Sequence, residues 1–264
     1  MDFFRRDGVV LHYRLTGPIG APALALVNSL GTDARIWDGV IAALSGRFRI
    51  LSYDKRGHGL SDVPEGDYAL ADHVDDLAAL LDHAGIGTLA LGGVSVGGLI
   101  AQGFALAHPQ RIKALMLCNT APRIGDDAMW NTRIADVRQN GMAALADPVM
   151  QRWLSPGFRA AQPDALSGWR NMFLRTDPAG YIGTCATLRD TDLRAAISAI
   201  TAPTLVVAGS DDLATPPDLV RTCADSIAGA RFEILDGVGH IPSIEKPALL
   251  AGMFGHFLSE VRHG

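Results

Sequence analysis

A single serine stands among small residues in Gly92-Gly93-Val94-Ser95-Val96-Gly97-Gly98, with a glycine two positions to either side. A serine hydroxyl is a weak nucleophile near neutral pH and needs a base to take its proton and a third group to orient that base. Further along the chain, Ser210-Asp211-Asp212 and then Asp236-Gly237-Val238-Gly239-His240 supply an acid and a histidine in that order. Together these groups could perform acyl transfer: Ser95 attacks a carbonyl, His240 moves the proton, and Asp212 holds the imidazole. Glycine weakens any regular element it interrupts, so its place beside Ser95 calls for a tight strand-to-helix turn whose neighbours must be small.

Each assignment has competitors. Asp211 adjoins Asp212 and could instead cap a helix starting near Pro216. Among eight histidines, His73, His83, His256 and His263 fall in helical or terminal positions and are expected to face solvent. His58 sits in Asp54-Lys55-Arg56-Gly57-His58-Gly59, a glycine-rich turn expected to be structural and near the site. His240 alone follows a late strand, beside Gly239 and stiffened by Pro242.

The elements that must position these groups are strands and helices in alternation. Apolar runs at 23–28, 49–53, 88–94, 114–119, 204–209 and 232–235 suit strands covered on both faces. Val74, Leu77, Leu81 and Ala84 repeat at helical spacing, as do Ile100, Phe104 and Ala107. The pattern predicts a doubly wound α/β sheet with Ser95, Asp212 and His240 at strand ends on one side. The alternation stops between about Pro122 and Asp192, which holds three of the four tryptophans, Trp130, Trp153 and Trp169. This segment, 122–192, reads as an inserted helical cap over a core made of 1–121 and 193–264.

Composition narrows the partners. A formal charge of −5 with no basic cluster argues against nucleic acid and anionic membranes. The start of the chain does not read as a signal peptide, and the longest apolar stretch is interrupted by glycines and polar residues. Cys118, Cys185 and Cys223 form neither a disulfide framework nor a metal-ligand pattern, and suit buried, reduced thiols in a cytoplasmic protein. No metal or organic cofactor is expected. The sequence sets no oligomeric state and leaves a homo-oligomer open.

Four ordered segments, 54–61, 93–98, 209–212 and 239–242, resemble the α/β-hydrolase superfamily across essentially the whole chain. The resemblance implies the α/β-hydrolase fold, a mostly parallel sheet with an inserted cap, and it supports Asp212, three residues after Gly209, as the acid. Many members carry His-Gly after an early strand, where this chain has Asn28-Ser29-Leu30-Gly31. An oxyanion hole needs main-chain donors, so the change does not remove the function. By position the donors are the N–H groups of Leu30 and Val96.

A narrower likeness follows from 28–33, 117–122, 175–181 and 189–193, which resemble 3-oxoadipate enol-lactonases, lactone hydrolases of the bacterial β-ketoadipate pathway of aromatic degradation. The resemblance implies a small anionic lactone as substrate and an arginine in the cap to meet its carboxylate. Arg133, one helical turn after Trp130, is the first choice, with Arg170 and Arg175 as others. Two further readings stay open: a carboxylesterase or carbon–carbon bond hydrolase of the same fold, and a non-catalytic ligand receptor built on it.

Overall fold

The computed structural model describes residues 1–263. The chain opens on a hairpin, β1 (Asp2–Arg6) and β2 (Val9–Thr16). The strands β3 (Ala23–Val27), β4 (Arg49–Tyr53), β5 (Leu89–Val94), β6 (Ile112–Cys118), β7 (Thr204–Gly209) and β8 (Arg231–Leu235) follow. They form one eight-stranded sheet in the order β1-β2-β4-β3-β5-β6-β7-β8. From β4 to β8 all pairings are parallel, while β1 with β2 and β2 with β4 are antiparallel. The six strands read from the apolar runs are present, with ends within about two residues of expectation.

The hairpin was not read from the sequence, although its signal is there. Asp7-Gly8 turns the chain with positive φ at both residues, 48° and 88°, as a two-residue type I′ turn requires.

Strands β5 and β7 are buried throughout, which explains their unbroken apolar character. The connecting helices are α1 (Asp38–Leu44), α2 (Leu70–His83) and α3 (Val96–Ala107). Between β6 and β7 lie α4 (Asp127–Trp153), α5 (Pro156–Ala161), α6 (Pro163–Leu174) and α7 (Pro178–Asp190), and α4 is broken at Gly141 by non-helical φ and ψ. The last helices are α8 (Pro217–Asp225), α9 (Pro242–Glu245) and α10 (Pro247–His263). Helices α2 and α3 pack together, as do α1 and α10.

One expectation fails at His73. It lies on the buried side of α2, 1% exposed, and its Nε2 meets Thr187 Oγ1 of α7 at 3.2 Å, so helical position did not mean solvent. His83 and His256 are exposed as expected, and the side chain of His263 lies outside the described residues. Cys118, Cys185 and Cys223 are buried free thiols. Among the described residues no helix is long and apolar enough to cross a membrane.

Candidate active site

Ser95 follows β5 directly and precedes α3, with φ 59° and ψ −123°. A non-glycine residue held in such a region costs about 1–3 kcal/mol and persists only where its surroundings dictate it. Here the Ser95 N–H donates to the Cys118 carbonyl at 3.0 Å, and Thr120 Oγ1 donates to the Ser95 carbonyl at 2.7 Å. The flanking glycines are required by close approach. A Cβ on Gly93 would overlap the Gly97 carbonyl, and one on Gly97 would overlap the Val27 carbonyl of β3.

Asp212 follows β7 and His240 follows β8, and the structure brings them together. His240 Nδ1 lies 2.7 Å from Asp212 Oδ2, with both side chains buried. The Asp212 carboxylate also accepts the N–H groups of Ala214 and Thr215, at 2.7 and 3.0 Å, and the Thr215 hydroxyl at 2.7 Å. A carboxylate so surrounded favours the proton on Nδ1 and leaves Nε2 able to accept a proton. His240 and Ser95 line one cavity. Among the described residues their side chains make no hydrogen bond to each other, a bond that often tightens only with substrate in place. Asp211 does not cap α8: its carboxylate accepts from Ser210 Oγ at 3.0 Å, and α8 starts at Pro216-Pro217 without a side-chain cap.

Leu30 is buried at the wall of the same cavity, and Val96 opens α3 next to Ser95. The loop bearing Leu30 is braced by the 54–60 turn, so the structural reading of His58 has a specific content. Burial pushes the His58 imidazolium well down from its usual range, aided by nearby Lys55, so the ring is neutral. Its Nε2 then accepts the Gly31 N–H at 2.9 Å. Asp54 accepts the N–H groups of Ala34 and Leu60, at 2.8 and 2.9 Å, and pairs with His12 Nδ1 at 2.7 Å.

The helices between β6 and β7 form the other cavity wall. Trp130 and Arg133 both line it, on one face of α4 as their spacing implied. Trp130 Nε1 donates to the Ile124 carbonyl at 2.6 Å, and Arg133 Nη1 reaches the Tyr181 hydroxyl at 3.4 Å. Arg170 and Arg175 are not brought to this cavity. Arg170 pairs with Asp147 at 2.6 Å, and Arg175 borders a separate cleft beside Arg14 and Arg35.

Three contributors escaped the sequence reading. Arg152 lines the cavity, and its Nη2 donates to the Leu213 carbonyl at 2.9 Å. Among the described residues neither Arg133 nor Arg152 meets a carboxylate, which leaves two cations for an anionic ligand. Trp153 lines the cavity with its ring centre 6.4 Å from that of His240, and its carbonyl accepts the His240 N–H at 2.6 Å. Asn119, after β6, ties the end of β7, which leads to Asp212, to the loop that carries His240 through its side chain. Arg152 carried no comparable signal, because adjacent helical positions such as Arg152 and Trp153 do not share a face as Trp130 and Arg133 do.

Known proteins share this arrangement of chain. The profile of the alpha/beta hydrolase fold family matches residues 22–247. A 3-oxoadipate enol-lactonase of Acinetobacter baylyi is 32% identical over 93% of this chain and 92% of its own. A pimeloyl-[acyl-carrier protein] methyl ester esterase of Nitrosomonas europaea is 27% identical over 92% of this chain and 98% of its own. The crystal structure of the enol-lactonase from Burkholderia xenovorans superposes with a TM-score of 0.95 at 39% identity, covering 98% of this chain and 100% of that one.

Proposed function

The chain belongs to the alpha/beta hydrolase fold family, and from that premise we propose that it is a serine hydrolase that opens the ring of 3-oxoadipate enol-lactone to 3-oxoadipate in aromatic degradation. The observation that carries this reading is the sharing of one cavity by Ser95, His240 and two cap arginines that meet no carboxylate among the described residues. The likeness to enol-lactonases supports the choice of lactone.

In this mechanism Ser95 Oγ attacks the lactone carbonyl as His240 Nε2 takes its proton. Asp212 orients the imidazole and stabilises its charged form. The developing oxyanion is held by the Leu30 and Val96 N–H groups, the latter at the positive end of α3. Ring opening expels the enol oxygen, which takes a proton from His240 and rearranges to the ketone. Water, deprotonated by His240, then attacks the acyl-enzyme; His240 returns that proton to Ser95 Oγ as the acyl–oxygen bond breaks, and the linear keto-diacid is released.

Residues 122–192 act as the cap, with Arg133 meeting the substrate carboxylate and Trp130 supplying an aromatic wall. The chemistry uses no metal or organic cofactor, and the enzyme works in the cytoplasm on this small anion.

The test is loss of the ultraviolet absorbance of freshly generated 3-oxoadipate enol-lactone, with Ser95→Ala protein alongside. Rapid loss with wild type, at least about a thousandfold slower in Ser95→Ala, is expected. Hydrolysis of aryl esters without the lactone would move the reading to a carboxylesterase, and binding without turnover would move it to a receptor.

A further inference from the structure

The peptide unit between Ser29 and Leu30 is gripped by its carbonyl end. Lys55 Nζ donates to the Ser29 carbonyl oxygen at 2.5 Å and Thr32 Oγ1 at 2.9 Å. The Thr32 N–H and Asn28 Nδ2 approach the same oxygen, each at 3.4 Å. Lys55 differs from the other donors in origin. It comes from the turn after β4 and reaches 26 positions back along the chain.

Lys55 is also 0% exposed. Lysine is almost never fully buried unless it is paired, yet among the described residues its side chain makes no ion pair and its one hydrogen bond goes to Ser29. Burial pushes its pKa well down, and the carboxylates of Asp54 and Asp33 oppose that shift. Ammonium and amine both keep an N–H to donate, so the contact with Ser29 survives in either state.

Among the described residues no peptide bond is cis, so the C=O and N–H of this unit point in opposite directions. A carbonyl drawn inward to Lys55 turns the Leu30 N–H outward. Ser29 and Leu30 line the cavity shared by Ser95 and His240. Donors at the carbonyl also polarise the amide and strengthen its N–H as a donor.

We propose that Lys55 is a positioning residue for the oxyanion hole: by donating to the Ser29 carbonyl oxygen, it aims and strengthens the Leu30 N–H. The proposal rests on the serine-hydrolase reading above. It gives the Lys-Arg pair of the 54–60 turn divided duties, since Arg56 is engaged elsewhere by Asp76 through hydrogen bonds of 2.7 and 2.8 Å.

Lys55→Met removes the donor and keeps most of the apolar stem. An oxyanion donor acts on the transition state more than on bound substrate, so kcat should fall about ten- to a hundredfold with KM within about twofold, a smaller loss than deleting a donor outright. Affinity for an aryl trifluoromethyl ketone, whose adduct with serine carries an oxyanion, should fall by a similar factor. Lys55→Gln, which returns an N–H donor, should regain part of both. A merely structural lysine would lower Tm without this matched pair of losses.

Unchanged kcat in folded Lys55→Met, or a kcat loss with ketone affinity untouched, overturns the proposal. Should Lys55→Met not fold, Lys55→Leu is judged on the same two readouts. Wild type and Ser95→Ala run in parallel separate the two levels. If wild-type turnover does not depend on Ser95, the serine-hydrolase reading falls and this proposal with it; if it does, the Lys55 variants alone decide.

Discussion

Asn119 and His240 are joined side chain to main chain: Asn119 Nδ2 donates to the His240 carbonyl at 2.8 Å and to that of Gly239 at 2.9 Å. Its Oδ1 accepts the Gly209 N–H at 2.8 Å, and its own carbonyl oxygen lies 2.8 Å from Thr215 Oγ1. One buried residue after β6 therefore fixes the end of β7, which leads to Asp212, and the loop that carries His240. Its φ of 45° is a left-handed value that asparagine tolerates better than most residues.

Asn119→Ala should consequently lower both stability and turnover. It removes three side-chain hydrogen bonds and strands buried partners, each at a cost of about 1–3 kcal/mol. A net loss of about 3 kcal/mol corresponds to a Tm lower by roughly 6–12 °C in a chain of this size. Thermal melting checks the first effect and kcat the second; a wild-type Tm would remove Asn119 from this role.

Gly97→Ala tests the elbow without touching any reacting group. The added methyl would overlap the main-chain carbonyls of Val27 and Asn28, which cannot swing away as a flexible side chain can. Overpacking of this kind costs about 1–3 kcal/mol, sometimes more. The expected result is a lower Tm together with a fall in kcat, because β3 and Ser95 must both shift. A variant with wild-type melting and turnover would show that the elbow has slack at Gly97.

Residues that announced themselves in the sequence share one property: their signal is local. Ser95 lies between glycines that its turn needs, and Asp212 and His240 each follow a short apolar strand. Asn119 has no such signature, because its partners lie 90 to 121 positions away and a lone asparagine after a strand resembles any loop residue. Lys55 reads in the sequence only as part of a turn, since nothing in its neighbours reveals that it is fully buried. His73 differs: standing four and seven positions before Leu77 and Leu80, it lies on the very face of α2 that the apolar repeat marks as buried, and its polar ring is accommodated there by meeting Thr187. The β1–β2 hairpin, by contrast, carries a local Asp-Gly turn signal.

Asp54 predicts a pH dependence of stability. Burial raises its pKa, but the hydrogen bond from His12 and those from the Leu60 and Ala34 N–H groups outweigh it, and the net shift is downward from 3.8. A depressed carboxyl contributes stability that is present above its unfolded value and is lost as pH falls through the folded one. Asp54→Asn should therefore melt well below wild type at pH 7, with the gap closing only below about pH 4. A gap that is constant from pH 7 to pH 3 would mean that the Asp54 charge is not what holds the 54–60 turn to Ala34.

Arg133 and Arg152 divide the electrostatics of the cavity unequally. Arg133 is half-buried and reaches the Tyr181 hydroxyl, whose phenol burial keeps protonated, whereas Arg152 is exposed and held by the Leu213 carbonyl. A hydrogen bond to a charged group contributes about 1.5–3 kcal/mol, more where water is excluded. Arg133→Ala should thus raise KM for the anionic lactone by about 10- to 150-fold, with a much smaller effect on a neutral aryl ester. Arg152→Ala should act in the same direction but more weakly, and its effect should shrink as salt is added. Steady-state kinetics on both substrates at low and high ionic strength make the comparison. An equal loss on neutral and anionic substrates in Arg133→Ala would assign Arg133 to holding Tyr181 rather than the carboxylate.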